Sequence, residues 1–365
     1  MQTSTFALVL LPALALACTG GDGGAPRPGH DGAPSASTSS SGALVGAGST
    51  FVAPLMSRWI ADYGASHAGA RIDYQAIGSG AGIRQITERT VDFGATDAPM
   101  TDEQIAKAPG VLHIPLCLGA VVLAYHLDGM PAGLKLSREA IAGVFLGAVK
   151  TWDDPLIAKE NEGAKLPAAA IAVVHRSDGS GTTKLFADFL SAASPAWRSG
   201  PGSGTSLDWP VGLGAKGNDG VAAQVKSTPG AIGYVELAYA MQNRLTFASV
   251  QAKGGAYVAP TLESTTAAGA AGAAAADVDH RVQIVDVDAP GAYPISGIAY
   301  ALVYTEQKDA AKGKLLVDFL KWATHDGQGK TAALSYAALP GPAVARADAD
   351  LAKVTGPGGA PLGGK

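Results

Sequence analysis

Along the first part of the chain the apolar positions Val52, Leu55, Met56, Trp59, Ile60 and Tyr63 fall three and four residues apart, a spacing that predicts a helix with one buried face. The same spacing returns at Leu185, Phe186, Phe189 and Leu190, and again at Leu315, Leu316, Phe319, Leu320 and Trp322. Between them lie short β-like runs at residues 71–77, 121–125, 171–175 and 231–235. Alternation of the two patterns predicts an α/β fold. Two biased segments interrupt it. Residues 19–42 are Gly, Ser, Pro and Ala with almost no large apolar residue, the composition of a tether. Residues 261–276, rich in Ala and Gly, fit either a surface helix or a long loop, and the pattern leaves both open. After Val354 the chain is again rich in Gly and Pro, and is expected to fray.

A length of 365 residues suffices for two lobes, each with its own core. With 47% hydrophobic and 16% charged residues the composition is that of a folded protein. Lys and Arg number 27 against 31 Asp and Glu, a net charge of −4 that gives no footprint for nucleic acid. Any anion bound here has to be held by local donors. The apolar run from Phe6 to Ala17 is too short to span a bilayer and ends in small residues before Cys18, which reads as an export signal over residues 1–18. Leu14-Ala-Leu-Ala-Cys18 resembles a bacterial lipobox, making Cys18 the expected lipidation site, although no Lys or Arg precedes the run and Ala15 stands where a larger aliphatic is preferred. The remaining cysteine, Cys117, sits in an apolar run and reads as a buried thiol, so no disulfide framework and no cysteine metal site is expected. The seven histidines are scattered without ligand spacing, and neither a metal nor another cofactor is expected.

The candidate chemistry lies in three glycine-rich turns, each opening a helix. Gly46-Ala-Gly-Ser-Thr-Phe51 precedes the first helix, with Ser49 or Thr50 the expected cap and Pro54 in the first turn, where a missing N–H costs nothing. Gly78-Ser-Gly-Ala-Gly82 follows a strand and places Ser79 at a strand-to-helix junction. His175-Arg-Ser-Asp-Gly-Ser-Gly-Thr182 again leaves a strand, and sets a guanidinium beside free backbone donors. A helix start offers unsatisfied N–H groups and the positive end of a macrodipole, and Arg adds planar, bidentate donors suited to an oxyanion. Singly, such a turn is more often a plain cap; three together point to a tetrahedral anion. Asp97, in Val91-Asp-Phe-Gly-Ala-Thr-Asp-Ala-Pro-Met-Thr101, is by spacing alone a turn carboxylate.

Taken in order, these segments resemble the phosphate-binding protein of bacterial high-affinity phosphate importers, the PstS family. Residues 46–54, 74–79, 91–99, 172–182, 209–220, 230–236 and 293–296 carry the likeness, which extends over residues 44 to 340 or so. It implies a type II periplasmic-binding-protein fold, two α/β lobes with a mixed sheet each, joined by two hinge strands near residues 120–123 and 286–291. Lobe I would comprise residues 44–121 and 290–345, lobe II residues 122–289, with a linker over 19–43 and a C-terminal tail over 346–365. The implied phosphate contacts are Thr50, Phe51 through its backbone, Ser79 and Asp97 from one lobe, and Arg176, Ser180, Gly181 and Thr182 from the other, with Asp178 holding Arg176 in place. Ser49, Ala81 and His175 depart from the family at variable positions. The implied partners are inorganic phosphate and the permease and cytoplasmic ATPase of an ABC importer. The protein would be a monomer in the periplasm or on the outer cell surface, held to the membrane through its lipid alone.

Other matches are decoys. Gly212-Leu-Gly-Ala-Lys-Gly217 satisfies a dinucleotide motif literally but lacks the preceding strand and downstream acid, and Gly329-Lys-Thr331 lacks the glycine that begins a Walker A loop. A phosphate-ester hydrolase using Ser180 or Asp97 as nucleophile would need an activating base or metal cluster that the sequence does not place near them, so no enzymatic activity is expected. A surface module that reports phosphate to a signalling or adhesion partner shares the same capture chemistry. Sulfate or molybdate as ligand is disfavoured by Asp97, because neither has a proton to give it.

Overall fold

The computed structural model describes residues 43–130, 132–274 and 281–362. The export signal with Cys18, and the linker as far as residue 42, lie outside the described residues.

The strands are β1 (Leu44–Gly48), β2 (Ile72–Ala76), β3 (Phe93–Thr96), β4 (Val111–Tyr125), β5 (Lys135–Leu136), β6 (Ala172–Arg176), β7 (Leu213–Ala215), β8 (Ala231–Glu236), β9 (Thr246–Phe247), β10 (Ser249–Gln251), β11 (Tyr257–Val258) and β12 (Ser296–Tyr304). The α-helices are α1 (Ala53–Ser66), α2 (Ser79–Thr87), α3 (Asp102–Lys107), α4 (Arg138–Phe145), α5 (Pro155–Ala158), α6 (Gly181–Ala193), α7 (Pro195–Ser199), α8 (Gly217–Ser227), α9 (Leu237–Asn243), α10 (Leu262–Ala274), α11 (Ala310–Thr324) and α12 (Gly341–Leu351). The main sheet runs β2-β1-β3-β12-β4-β8-β6-β7, with β9 also on β4. Parallel β2, β1 and β3 form one half with antiparallel β12; parallel β6, β7 and β8 form the other.

Fifteen-residue β4 belongs to both halves. From Val111 to Ala120 it pairs with β12, and from Val121, opposite Glu236, it pairs with β8. The two halves therefore meet in continuous backbone between Ala120 and Val121. Before β12 the chain doubles back, with Val285 bridging Ile295 and the Asp286 N–H donating to the Pro294 carbonyl.

The inner parallel strands β1, β3 and β8 are buried almost throughout, whereas the edge strand β2 exposes Asp73, Gln75 and Ala76. On one side Tyr63 of α1 packs edge-on against Phe319 and Trp322 of α11, and Trp59 donates its indole N–H to the Gly327 carbonyl at 2.8 Å. On the other, Phe186, Tyr234 and Trp209 stack beneath the end of β6, and the Tyr234 hydroxyl accepts from the Arg176 N–H at 3.0 Å. Burial of these large side chains fixes the turns that follow β1 and β6.

Residues 262–274 are helical. Buried Ala268 and the close approach of Gly269 to Leu118 seat α10 on β4, so its small residues serve packing. The expected tail from residue 346 is not a tail. Helix α12 runs through that boundary, and Leu351 and Val354 are fully buried. Thr355 bridges Glu306 and Pro361, and Leu362 closes on the same core. Val344, Ala347 and Leu351 form an inward stripe at helical spacing, diluted in the sequence by alanines and aspartates.

Candidate functional site

The three glycine-rich turns converge. Each follows a parallel strand at its carboxyl end, where open α/β sheets gather ligand sites. The first runs from Gly48 to α1. Neither Ser49 nor Thr50 caps that helix; Val52 takes the cap position without a side-chain bond. The two hydroxyls are turned inward instead. Ser49 Oγ donates to Asp97 Oδ1 at 2.6 Å and accepts from the Phe51 N–H at 3.0 Å. Thr50 Oγ1 faces the other half of the molecule, where Asn218 donates to it from Nδ2 at 2.8 Å and from its backbone N–H at 3.3 Å.

Three tyrosines hold the carbonyls of this turn. Tyr74 donates to Ser49 O at 2.7 Å, Tyr239 to Thr50 O at 2.7 Å and Tyr336 to Phe51 O at 2.6 Å. With its carbonyls held, the turn keeps the Phe51 N–H on Ser49 Oγ, the same hydroxyl that donates to Asp97.

The second turn brings Ser79, first residue of α2, to Asp97 Oδ1 at 2.7 Å. Gly78 before it has φ +91°, and a β-carbon there would lie 2.4 Å from Asp178 Oδ2, so only glycine fits. Next to it the Gly80 N–H donates to the Gly179 carbonyl at 2.9 Å, joining the second and third turns backbone to backbone.

In the third turn Ser180 caps α6, its Oγ accepting from the Thr183 N–H at 3.1 Å, which leaves the hydroxyl proton to give. Gly181 and Thr182 open the helix, where N–H groups have no intrahelical acceptor. Thr182 Oγ1 donates to Asp97 Oδ2 at 3.2 Å. Arg176 is 1% exposed at its side chain and forms a two-pronged pair with Asp178, Nε to Oδ1 at 2.7 Å and Nη2 to Oδ2 at 2.6 Å. The Gly217 N–H adds a third bond to Asp178 at 3.0 Å. The remaining Arg176 nitrogen, Nη1, is buried without a hydrogen-bond partner among the described residues.

Asp97 is the centre of the cluster, 1% exposed. Burial raises its pKa above the ordinary range, opposed by the hydroxyls of Ser49 and Ser79, the charge of Arg176 and the Thr182 hydroxyl. A carboxylate has about four lone-pair positions. Ser49 and Ser79 fill both on Oδ1, and Thr182 takes one on Oδ2. One acceptor position on Oδ2 is left over. Burial would raise Asp178 too, but the hydrogen bonds and charge of Arg176 outweigh it and hold this carboxyl below its usual range.

All eight expected contact residues and Asp178 thus lie in one cluster. Sequence reasoning missed Ser49, taken as a variable position but bonded to Asp97, and Asn218, which stood unremarked inside the 209–220 segment. It also missed Tyr239, whose sequence surroundings carry no signal. Glu236 completes the rear of the site: it is fully buried, its backbone N–H donates to Asn218 Oδ1 at 2.9 Å, and burial holds its carboxyl well above the usual range.

Comparison with known proteins adds an independent line. The family described as a PBP superfamily domain matches residues 33–326. The phosphate-binding protein PstS of Xylella fastidiosa strain Temecula1 is 42% identical over 308 residues, 84% of each chain. That of Methanocaldococcus jannaschii is 36% identical over 316 residues, covering 80% of this chain and 81% of its own. Among solved structures, a phosphate-binding protein from Stenotrophomonas maltophilia superposes with a TM-score of 0.65 at 21% identity, over 84% of this chain and 93% of the other. At that identity the superposition speaks to the type II periplasmic-binding-protein fold.

Proposed function

We propose that this chain, which belongs to the PstS family of phosphate-binding proteins, captures inorganic phosphate between its two lobes and delivers it to an ABC-type importer. The family is one of solute-binding proteins, not of enzymes. The observation that carries the reading is Arg176 Nη1, a buried cationic donor with no acceptor among the described residues, set beside hydroxyls and helix-opening amides. An unmade hydrogen bond from a buried charged group costs well over 1 kcal/mol, and an oxyanion at this point would make it.

In this scheme the oxyanion takes donors from Thr50, the Phe51 amide and Ser79 on one side, and from Arg176, Ser180, Gly181 and Thr182 on the other, the Phe51 N–H turning to it from Ser49 Oγ and the Ser79 and Thr182 hydroxyls turning to it from Asp97. Asp178 keeps the guanidinium flat and aimed. Asp97 supplies the one acceptor. Phosphate at neutral pH retains a proton and can give it to the open position on Asp97 Oδ2, whereas sulfate has none and would meet a buried like charge. A site built around one such hydrogen bond can reject the wrong partner by about 10⁴ to 10⁵. Arsenate, with the same shape and proton, would be rejected far less. Lobe II, residues 122–289, closes on lobe I, residues 44–121 and 290–345, about β4 and the segment before β12, and closure excludes water and strengthens each bond.

Cys18 would carry the lipid that holds a monomeric protein on the outer face of a membrane, with permease subunits docking on the closed form and no cofactor required. Among the described residues no helix is long and apolar enough to cross a membrane. The test is calorimetric titration of the anion-stripped protein with phosphate, sulfate and arsenate. One-to-one phosphate binding near or below micromolar, about −8 kcal/mol or better, with sulfate silent, is expected. Absence of both heat and thermal stabilisation with phosphate would overturn it.

A further inference from the structure

Thr50 is gripped from across the cleft at both of its oxygen atoms, by two residues outside the contact set proposed above. Asn218 at the start of α8 donates twice to Thr50 Oγ1, from Nδ2 and from its own N–H, and Nδ2 also reaches Thr182 Oγ1 at 3.2 Å. Tyr239 on α9 donates to the Thr50 carbonyl. Both grips are organised around Glu236. Its N–H holds Asn218 Oδ1, which fixes the amide so that its NH2 faces the threonines. Its carboxylate Oε2 caps α9 by accepting from the Ala238 N–H at 2.7 Å.

Two consequences follow from hydrogen-bond arithmetic. A threonine hydroxyl has two lone pairs and one proton. With both lone pairs taken by Asn218, Thr50 can act toward a ligand only as a donor. Its carbonyl, in turn, belongs to the same peptide unit as the Phe51 N–H. A tyrosine bonded to that oxygen polarises the unit and strengthens the amide as a donor. Asn218 and Tyr239 also tie the β1–α1 turn of one half to two helices of the other, so their bonds must break before the halves can part.

We propose that Asn218 and Tyr239 are positioning residues that clamp Thr50 once the cleft closes, fixing its hydroxyl as an obligate donor to the bound oxyanion and setting how fast that anion leaves. The proposal rests on the phosphate-binding reading. Because the clamp forms after the anion has entered, its loss acts on release and not on capture.

The experiment is stopped-flow measurement of inorganic phosphate association and release for the full chain carrying Tyr239→Phe, Asn218→Ala, Thr50→Val, or Asn218→Ala with Thr50→Val. Tyr239→Phe removes one oxygen and should raise the release rate about 5- to 10-fold, with association within about twofold of the parent. The double variant should release phosphate no faster than the quicker of its two single variants, because Asn218 acts through Thr50. Additive effects, or equal losses in association and release, would mark a general structural role and overturn the clamp. Parent protein that binds phosphate beside a Tyr239→Phe variant with the parent's release rate would sink the clamp alone. Parent protein that binds no phosphate would sink the underlying reading with it.

Discussion

Gly181 lies so close to Asp97 that a β-carbon built on it would stand 2.4 Å from the Asp97 Cγ. The two belong to different halves of the molecule, and the contact is possible only because one has no side chain. Gly181→Ala should therefore hold the halves apart: phosphate affinity should fall by at least about 100-fold, on the scale of 1 to 3 kcal/mol for overpacking plus lost bonds, while each half keeps its fold. Titration and small-angle scattering check this together. A Gly181→Ala variant as compact and as tight-binding as the parent would show that the cleft closes another way.

Asp97→Asn tests how the site distinguishes proton-bearing anions. The amide can donate where the carboxylate could only accept, so sulfate should become a ligand. The preference for phosphate over sulfate should narrow by about 100-fold or more, the weight of one buried charged mismatch. Competition titrations decide the matter, and an unchanged preference would move selectivity elsewhere in the cluster.

Arg176→Lys keeps the charge and loses the planar fork. The ammonium cannot make two parallel bonds to Asp178 while presenting a third nitrogen forward. Phosphate affinity should fall by about 30-fold or more, equivalent to about 2 kcal/mol or greater for a disrupted buried charge pair. Retained affinity in calorimetry would mean that the cation acts as a point charge.

Asp178 and Asp97 couple to pH with opposite signs. The folded pKa of Asp178 is depressed, so its contribution to stability is present above the unfolded value near 3.9 and lost as pH falls through the folded one. That of Asp97 is raised, so its contribution is present at low pH and lost as pH rises. The Tm gap between the parent and Asp178→Asn should thus be widest near neutral pH and shrink below about pH 4. A gap that stays constant on acidification would detach Asp178 from this linkage.

Helix α12 should matter to stability. Leu351→Ala empties a fully buried position and should cost about 2–5 kcal/mol in denaturant unfolding. A cost under about 1 kcal/mol would return the C-terminal stretch to the role of a tail.

The sequence made the site legible because its parts sit in local motifs. A strand, a glycine turn and a helix start occupy about ten residues, and the side chains that face an anion from such a turn are adjacent in the chain. Arg176 could be found this way, whereas Asp97 is by spacing alone a turn carboxylate, and its role and that of Asp178 are implied by the family resemblance. Asn218 and Tyr239 could not be found, because their contacts to Thr50 span 168 and 189 residues and depend on how two halves meet. Ser49 was hidden for another reason: a serine before a helix reads as a cap, and only the packing shows its hydroxyl spent on Asp97. The α/β alternation was plain where apolar spacing was strong. It failed after residue 345, where alanine-rich turns of α12 bury small side chains that resemble a linker in composition.

The sharing of β4 between the two halves also bears on how the chain is made. Its upstream part pairs with β12, nearly two hundred residues later, and β3 pairs with β12 as well. Until β12 emerges, an early-synthesised β1, β2 and β3 sheet has an open edge of unpaired N–H and C=O groups, a template for wrong partners. The second half, with β6, β8 and β4 all upstream of residue 237, can close its own ladder first. Completing the N-terminal half requires the C-terminal residues, and a chain held before β12 would be the state in which a chaperone is needed.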